Sequence, residues 1–529
     1  MEEDNILQQI RSKAAEFLLR EDWNESIKAY SHFIPLCQQQ ISKTQQESDL
    51  LKLRKSLCLA LSNRAEARFR LRDFEEALKD CEESLQIDNT HLKTLVCKGK
   101  ILLNLNRYSL ALDCLKRALV FESQCNGNLE VLNGLIEKCK KLDYLSRTGN
   151  FDISNWVSCG FSGICPELCE FVGNVEIKKS EISGRGLFCT KSIDIGSLIL
   201  VTKSVATERC ILPKDSKGLL DENEQLVMWK NFIDRVTESS SKCHKTRHLI
   251  SKLSIGENED DLETPDISLF KPETDGESFP NKNLEEDKIL SILDVNSLVE
   301  DAVSSKVLGK NSDYYGVGLW LLPSFINHSC SPNARRLHIG DYVVVLASKE
   351  IKAGKEITFA YYDVLCPLAK RREMSKTWGF NCECKRCKYE EKMQSKPEMG
   401  EIEIGLEKGV DVGCAIFRLE ECMKRWVMRG KEKGYFRASF WKAFSEAFES
   451  EKCVRRWGRK IPALEPIVDS LVEAVGSDER VVKVLVRKLK RGSCGYGDME
   501  RAIKLGRGVY GKVMKRQALR ILLELGVHE

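Results

Sequence analysis

The sequence predicts a multidomain α+β protein, with an all-α repeat region and an all-α C-terminal region on either side of a β-rich middle. Three observations carry this reading. A pattern of apolar and small residues recurs every 34 residues between Ala65 and Leu119, short alternating runs broken by Gly-containing turns begin at Val175, and apolar stripes at helical spacing return after Gly400. At 529 residues the chain is too long for one ordinary core. The expected division is a helical repeat domain at 1–145, a linker at 146–174, a β-rich domain at 175–390 and a helical domain at 391–529, with a partly disordered acidic insertion at about 205–305.

Composition narrows the classes of function. With 42% hydrophobic and 31% charged residues the chain reads as globular, and a net charge of +4 argues against a dominant nucleic-acid-binding role. Met1 to Ile10 is polar and acidic, without the apolar core of a secretory leader, so the 22 cysteines are expected to be reduced in the nucleus, the cytoplasm or both. No apolar run approaches the roughly 20 residues that cross a bilayer, so no membrane association is expected.

In the N-terminal part Phe74, Ala77, Leu78 and Leu85 recur as Tyr108, Ala111, Leu112 and Leu119, and Ala65 recurs as Gly99. This period, with small residues where paired helices touch, resembles the tetratricopeptide repeat (TPR). Asp22 to Ile27 reads as the same turn in an earlier copy, Trp23 preceding Phe74 by 51 residues, and the Gln-rich stretch from Gln38 to Gln46 accounts for part of the extra length. The resemblance implies a concave groove for a protein partner, whose identity is unknown. Asn63 and Lys93 match the basic clamp by which some TPR groups hold a chaperone's terminal carboxylate. Ala15 and Cys97 stand where that clamp has Asn and Arg, so chaperone docking is not expected.

The middle holds four pieces in order: Ser183-Gly184-Arg185-Gly186, then Phe325 to Asn333 containing Asn327-His328-Ser329-Cys330, then Glu356 to Tyr361, then Cys382-x-Cys384-x-x-Cys387. Each alone is weak; in this order they resemble a SET-domain lysine methyltransferase with a post-SET zinc loop, of the SMYD group. Between the first two pieces that group carries a MYND zinc finger. Here the insertion offers only Cys210, Cys243, His244 and His248, too few for that module, and ordinary packing is favoured over a single zinc site. From Glu257 to Asp287 it holds twelve Asp or Glu against two Lys, which reads as a solvated, mobile loop.

The resemblance implies methylation of protein lysines with S-adenosylmethionine. Only about one lysine amine in 2,500 is neutral at pH 7, so the chemistry needs a dry channel, a cofactor pocket and a donor that fixes geometry. Tyr361 is the expected donor and also touches cofactor. Ser183, Gly184, Arg185, Gly186, Asn327, His328 and Phe380 are the expected cofactor residues, and Phe359, Tyr362 and Trp378 the expected channel. Phe359, lacking a hydroxyl, would leave room for more than one methyl group. Cys330, Cys382, Cys384 and Cys387 are the expected structural Zn2+ ligands. Two other readings stand beside this one. A Cys-His hydrolase is disfavoured because no orienting group or oxyanion loop completes it. A TPR scaffold with an inactive SET module is the alternative in a different class.

The C-terminal region carries Ile416, Leu419, Met423, Trp426 and Val427 on one expected helical face, then Phe436, Phe440, Phe444 and Phe448, then Leu464, Ile467, Val468, Leu471 and Val475. These read as core stripes. The basic run Arg487 to Arg491 reads as a solvated helix face rather than a partner site.

Overall fold

The computed structural model describes residues 2–122, 129–159, 166–211, 222–256, 262–272, 279–280, 283–300, 314–491 and 496–525. Internal packing divides the chain into two units, one of residues 1–148, 237–251 and 271–284, the other of 149–236, 252–270 and 285–529. Among the described residues no helix is long and apolar enough to cross a membrane.

The first unit is built on seven helices, each packed on the next: α1 (Glu2–Leu19), α2 (Trp23–Lys43), α3 (Glu47–Arg70), α4 (Phe74–Ile87), α5 (Leu92–Asn104), α6 (Tyr108–Glu122) and α7 (Leu129–Thr148). The turns repeat as the sequence does. Glu21, Arg72 and Asn106 take the left-handed conformation (φ 61°, 59° and 60°), each two residues before a helix starts. The second and third are one period apart. Small residues sit where helices meet: Ala65 and Ala77 are fully buried, and a Cβ at Gly99 would lie 2.8 Å from the Leu115 side chain. Asp80 on α4, buried, takes hydrogen bonds from Arg64 Nη2 (2.6 Å) and Arg68 Nη1 (2.7 Å) on α3, a charge-assisted tie between paired helices. Of the clamp positions, Lys93 Nζ donates to Asn63 Oδ1 (2.6 Å), Asn63 Nδ2 donates to Tyr30 Oη (2.7 Å), and Cys97 is buried.

The insertion carries helices on either side of its acidic stretch. Helices Glu222–Lys242, His244–Ser251 and Glu286–Asn296 form within it, because Met228, Phe232 and Val236, and then Ile289, Ile292 and Leu293, line up at helical spacing and are buried. Within the first unit Lys242 Nζ donates to Leu71 O (2.8 Å), and the His244 amide to Glu75 Oε1 (2.7 Å). Of the stretch expected to be a mobile loop, residues 257–261, 273–278 and 281–282 lie outside the described residues.

The second unit contains the strands. An antiparallel sheet runs in the order β1 (Phe171–Val172), β4 (Leu198–Lys203), β10 (Tyr342–Ala347), β9 (Ala334–Ile339). A second runs β5 (Ala206–Ile211), β7 (Tyr314–Leu319), β6 (Leu298–Val299), and a hairpin joins β2 (Val175–Lys179) to β3 (Arg185–Cys189). Two very short strands, β8 (Asn327–His328) and β11 (Thr358–Phe359), pair in parallel. Leu200, Val201, Val343 and Val345 form the dry centre of the first sheet. Helices from Pro397–Glu407 to Arg516–Leu525 follow, burying Ile416, Leu419 and Met423, then Phe436, Phe440 and Phe444, then Ile467, Val468 and Leu471.

The C-terminal reading needs two corrections. The phenylalanine stripe spans two helices, Gly430–Ser439 and Trp441–Glu449, with Phe440 at the break. Val427 is not a core residue: helix Val412–Arg425 has already ended, and Val427 is 67% exposed with φ 56°. Its amide bonds Lys424 O (3.0 Å) and that of Met428 bonds Met423 O (3.1 Å), the Schellman arrangement that ordinarily carries glycine. The basic run, by contrast, pairs locally, Arg487 with Glu449 (2.7 Å) and Lys488 with Glu465 (2.8 Å). A β-branched residue in the left-handed region costs about 1–2 kcal/mol, partly offset by the greater unfolded freedom of glycine. Val427→Gly is therefore expected to stabilise the protein by about 0.5–1 kcal/mol, read as a higher urea midpoint at unchanged slope.

Candidate functional site

The site is assembled by the β8–β11 pair. Asn327 faces Thr358 and His328 faces Phe359 across it, and the Ser329 amide donates to Phe359 O (3.1 Å). Asn333 secures the crossing: its Nδ2 donates to Glu356 O (2.8 Å), its Oδ1 accepts the Thr358 amide (2.8 Å), and its own amide donates to Thr358 O (3.1 Å). Two motifs some thirty residues apart in sequence thus become neighbours.

Tyr361 lies just past β11, half-buried, and its hydroxyl donates to Ile326 O (2.9 Å). Burial pushes its phenol well above the ordinary range, so it stays a proton donor at neutral pH. Its ring is surrounded by aromatics, with centroids 5.6 Å from Phe359, 5.1 Å from Trp378, 5.3 Å from His328 and 6.1 Å from Phe380. Phe359 is fully buried beneath the Arg336 guanidinium (5.0 Å), while Trp378 and Phe380 are half-buried.

A polar cluster lies on the other side of the pair. Asn327 Nδ2 sits 2.8 Å from Glu356 Oε1, 3.1 Å from Arg185 O, and 3.2 Å from both Ser183 O and Ser180 Oγ. Ser180 Oγ also donates to the Glu356 carboxyl (2.9 Å). Burial raises the Glu356 carboxyl above its usual range, against the hydrogen bonds from Asn327 and Ser180. The need for glycine at 186 is steric, since a Cβ there would lie 2.3 Å from Glu356 Oε1, and Gly184 turns the hairpin at φ 41°. The Arg185 side chain is not part of this cluster. It is buried, donating to Lys252 O (2.7 Å) and Glu263 O (2.9 Å) and lying 5.1 Å from the Phe325 ring, so it anchors the insertion while its backbone meets Asn327.

Cys330, Cys382, Cys384 and Cys387 converge with their sulfurs all within 4.8 Å of one another. They are the one such group of potential ligands among the described residues. His328 joins them to the site: its Nδ1 accepts the Tyr361 amide (3.0 Å), which leaves Nε2 as the protonated nitrogen facing Cys330 Sγ at 3.3 Å. Both ring nitrogens are thereby used inside the protein, and only the His328 backbone is left to meet a cofactor. Tyr362, expected in the channel, lies beside this imidazole and stacks on Phe380 (6.4 Å). It stacks on His328 (4.3 Å) with its hydroxyl 3.6 Å from Cys330 Sγ, at the cysteine cluster. Arg371 Nη1 donates to Cys387 Sγ (3.1 Å). Four thiols with donors aimed at the sulfurs suit a tetrahedral Zn2+ held as thiolates. The insertion ligands do not gather: His244 pairs with Glu75 (2.6 Å), His248 packs on Phe279 (5.4 Å), and Cys243 Sγ accepts the Thr246 amide (3.4 Å).

Residues 184–362 match the family model of the SET domain. This chain carries a SET domain. Residues 58–91 match the tetratricopeptide repeat. A methyltransferase of Gibberella zeae is 26% identical over 398 residues, covering 72% of this chain and 51% of its own length. Mouse histone-lysine N-methyltransferase SMYD3 is 38% identical over 78 residues, 15% of this chain and 18% of its own. The potential protein lysine methyltransferase SET6 of Saccharomyces cerevisiae is 38% identical over 77 residues, 14% of this chain and 21% of its own. The chain thus spans about half the length, or less, of these relatives. Among solved structures, the TPR2B domain of yeast Sti1 in a pHsp70 complex is 21% identical, with TM-score 0.21, covering 26% of this chain and 96% of its own.

Three side chains of the site had no role assigned from sequence: Ser180, Glu356 and Asn333. Glu356 opens one quoted motif and Asn333 closes another, and both carry hydrogen-bonding groups, the one signal that could have marked them. The cysteine geometry predicts about one zinc per chain in metal analysis of purified protein. Cys384→Ser is expected to lower that content to a small fraction, and equal zinc in the variant would remove the assignment.

Proposed function

We propose that this chain is an S-adenosylmethionine-dependent protein-lysine N-methyltransferase. The observation that carries the proposal is Tyr361, a protonated phenol fixed through its backbone by His328 and walled by Phe359, Trp378 and Phe380, beside the paired strands that bear Asn327. The residues fit the cofactor: a half-buried aromatic, Phe380, and a polar cluster at Asn327 lie by a glycine turn that brings backbone close. Backbone at Ser183, Gly184 and Gly186, the Asn327 carboxamide and Phe380 would hold it. When bound, S-adenosylmethionine supplies an electrophilic sulfonium methyl carbon.

The chain's own residues do the rest. Phe359, Trp378 and Phe380 exclude water from an incoming lysine, which favours its neutral, nucleophilic amine. Tyr361 offers a hydroxyl that orients the amine and does not serve as a base, since burial keeps it protonated. Phe359, with no hydroxyl, leaves space beside the amine nitrogen, so a methylated lysine can be accepted again. The cysteine loop holds Phe380 and Trp378 against Tyr361, with Zn2+ supplying the folding energy that so short a loop lacks. The repeat unit is proposed to recruit a protein partner.

Radiolabelled S-adenosylmethionine and a panel of protein substrates test this. Tyr361→Phe is expected to lower the transfer rate at least about 100-fold, with cofactor affinity changed only slightly. If wild type and variant are equally inert while partner proteins still bind, the chain is a scaffold. Phe359→Tyr is expected to shift products toward monomethyl-lysine by mass spectrometry, and an unchanged distribution would remove Phe359 from that role.

A further inference from the structure

Beneath the cysteine cluster lies a group of buried charges that the proposed chemistry does not use. Arg371 on helix Leu368–Thr377, and Arg386 and Glu390 on helix Lys385–Met393, have side chains 0%, 0% and 3% exposed. Arg371 Nη2 pairs with Glu390 Oε2, and Arg386 Nε donates to Glu390 Oε1 (2.8 Å). Among the described residues no second carboxylate pairs with either guanidinium, so two buried cations share one anion. An uncompensated charge at this depth is costly. The surplus cation therefore calls for a neighbouring negative charge.

The cysteine cluster is where that charge would be. A divalent zinc bound by four thiolates has a net charge of minus two. Arg371 reaches it directly through Nη1 to Cys387 Sγ (3.1 Å), and Arg386 reaches its backbone through Nη1 to Cys330 O (3.1 Å), with a second bond to Val364 O (2.8 Å) nearby. The same guanidinium then turns outward: Arg386 Nη2 donates to Ser439 Oγ (2.8 Å), and Ser439 Oγ donates to Glu390 Oε1 (3.0 Å). Ser439 is buried and ends helix Gly430–Ser439 of the C-terminal region. One continuous hydrogen-bonded chain runs from a ligand sulfur to that helix.

We infer that Arg371, Glu390 and Arg386 form a charge relay whose surplus positive charge is met by the negative charge of the metal-bound tetrathiolate centre, so that metal binding also fastens the C-terminal helices to the SET domain. Arg371 is then a positioning residue for the metal through Cys387, and Arg386 is the link between the centre and Ser439. The inference rests on the zinc reading above and goes beyond it, because it makes helices outside the zinc loop depend on the metal.

The test uses the full chain. Wild type, Arg371→Met and Arg371→Lys are titrated with Zn2+ against a competing chelator, and with Co2+ to read the thiolate-to-metal charge-transfer band. Hydrogen exchange of wild type is followed with and without zinc. Arg371→Met is expected to weaken zinc affinity about 10–100-fold. It should also move the Co2+ band to lower energy, because a sulfur relieved of a charged donor gives up electron density more readily. Arg371→Lys should lie between the two. In wild type, zinc removal is expected to speed exchange across 430–449 while leaving α1 to α7 unchanged, a comparison that needs no variant to fold. Equal affinities and bands, with 430–449 indifferent to zinc, would overturn the inference and leave the zinc reading standing. A wild type that binds neither metal would remove the zinc reading itself, and the relay with it.

Discussion

Two residue pairs of parallel strand, Asn327 with Thr358 and His328 with Phe359, hold together everything the middle of this chain can do. So short a ladder contributes little stability by itself, and it persists because Asn333 ties both strands at three points and because the flanking residues are buried. From it hang a phenol on one side, a carboxamide–carboxylate cluster on the other, and at its end a cysteine that belongs to a different structure. Separating the strands would disperse all three at once.

The imidazole of His328 shows how closely those three parts are joined. It spends one nitrogen on the Tyr361 backbone and faces Cys330 with the other, while Tyr362 stacks on its face. Family resemblance suggested a cofactor contact for this side chain. The geometry gives it a structural role between the tyrosine strand and the cysteine loop, in keeping with histidine's capacity to accept at one ring position and donate at the other.

What was legible in the sequence follows from the range of the interactions involved. The repeats could be read because helix hairpins put the same demands on every thirty-fourth residue, down to the left-handed turn at Arg72 and Asn106. The convergence of the four cysteines could be read because they sit in short, ordered motifs. Arg371, Glu390 and Arg386 could not: nothing in local spacing distinguishes them from the many exposed charges nearby, and their burial is a tertiary fact. The helix Glu286–Asn296 could have been read from Ile289, Ile292 and Leu293 at helical spacing, a signal that lies just past the acidic stretch. Val427 was placed in the core because periodicity continues past the point where the backbone stops being a helix.

The assignment of residues 237–251 and 271–284 to the repeat unit, although they lie within the span of the SET domain, bears on how the molecule can be taken apart. The chain leaves one unit for the other and returns more than once, so no single cut separates them. A truncation at the end of α7 would strip the repeats from His244 and Lys242, which bond Glu75 and Leu71, and would leave Leu249 and Ile250, buried in the whole chain, without part of their unit. Loss of function in such a fragment would report a broken core as readily as the loss of anything the repeats themselves contribute. Point substitutions of exposed residues on α1 to α7, in the intact chain, are the cleaner instrument for asking what the repeats contribute.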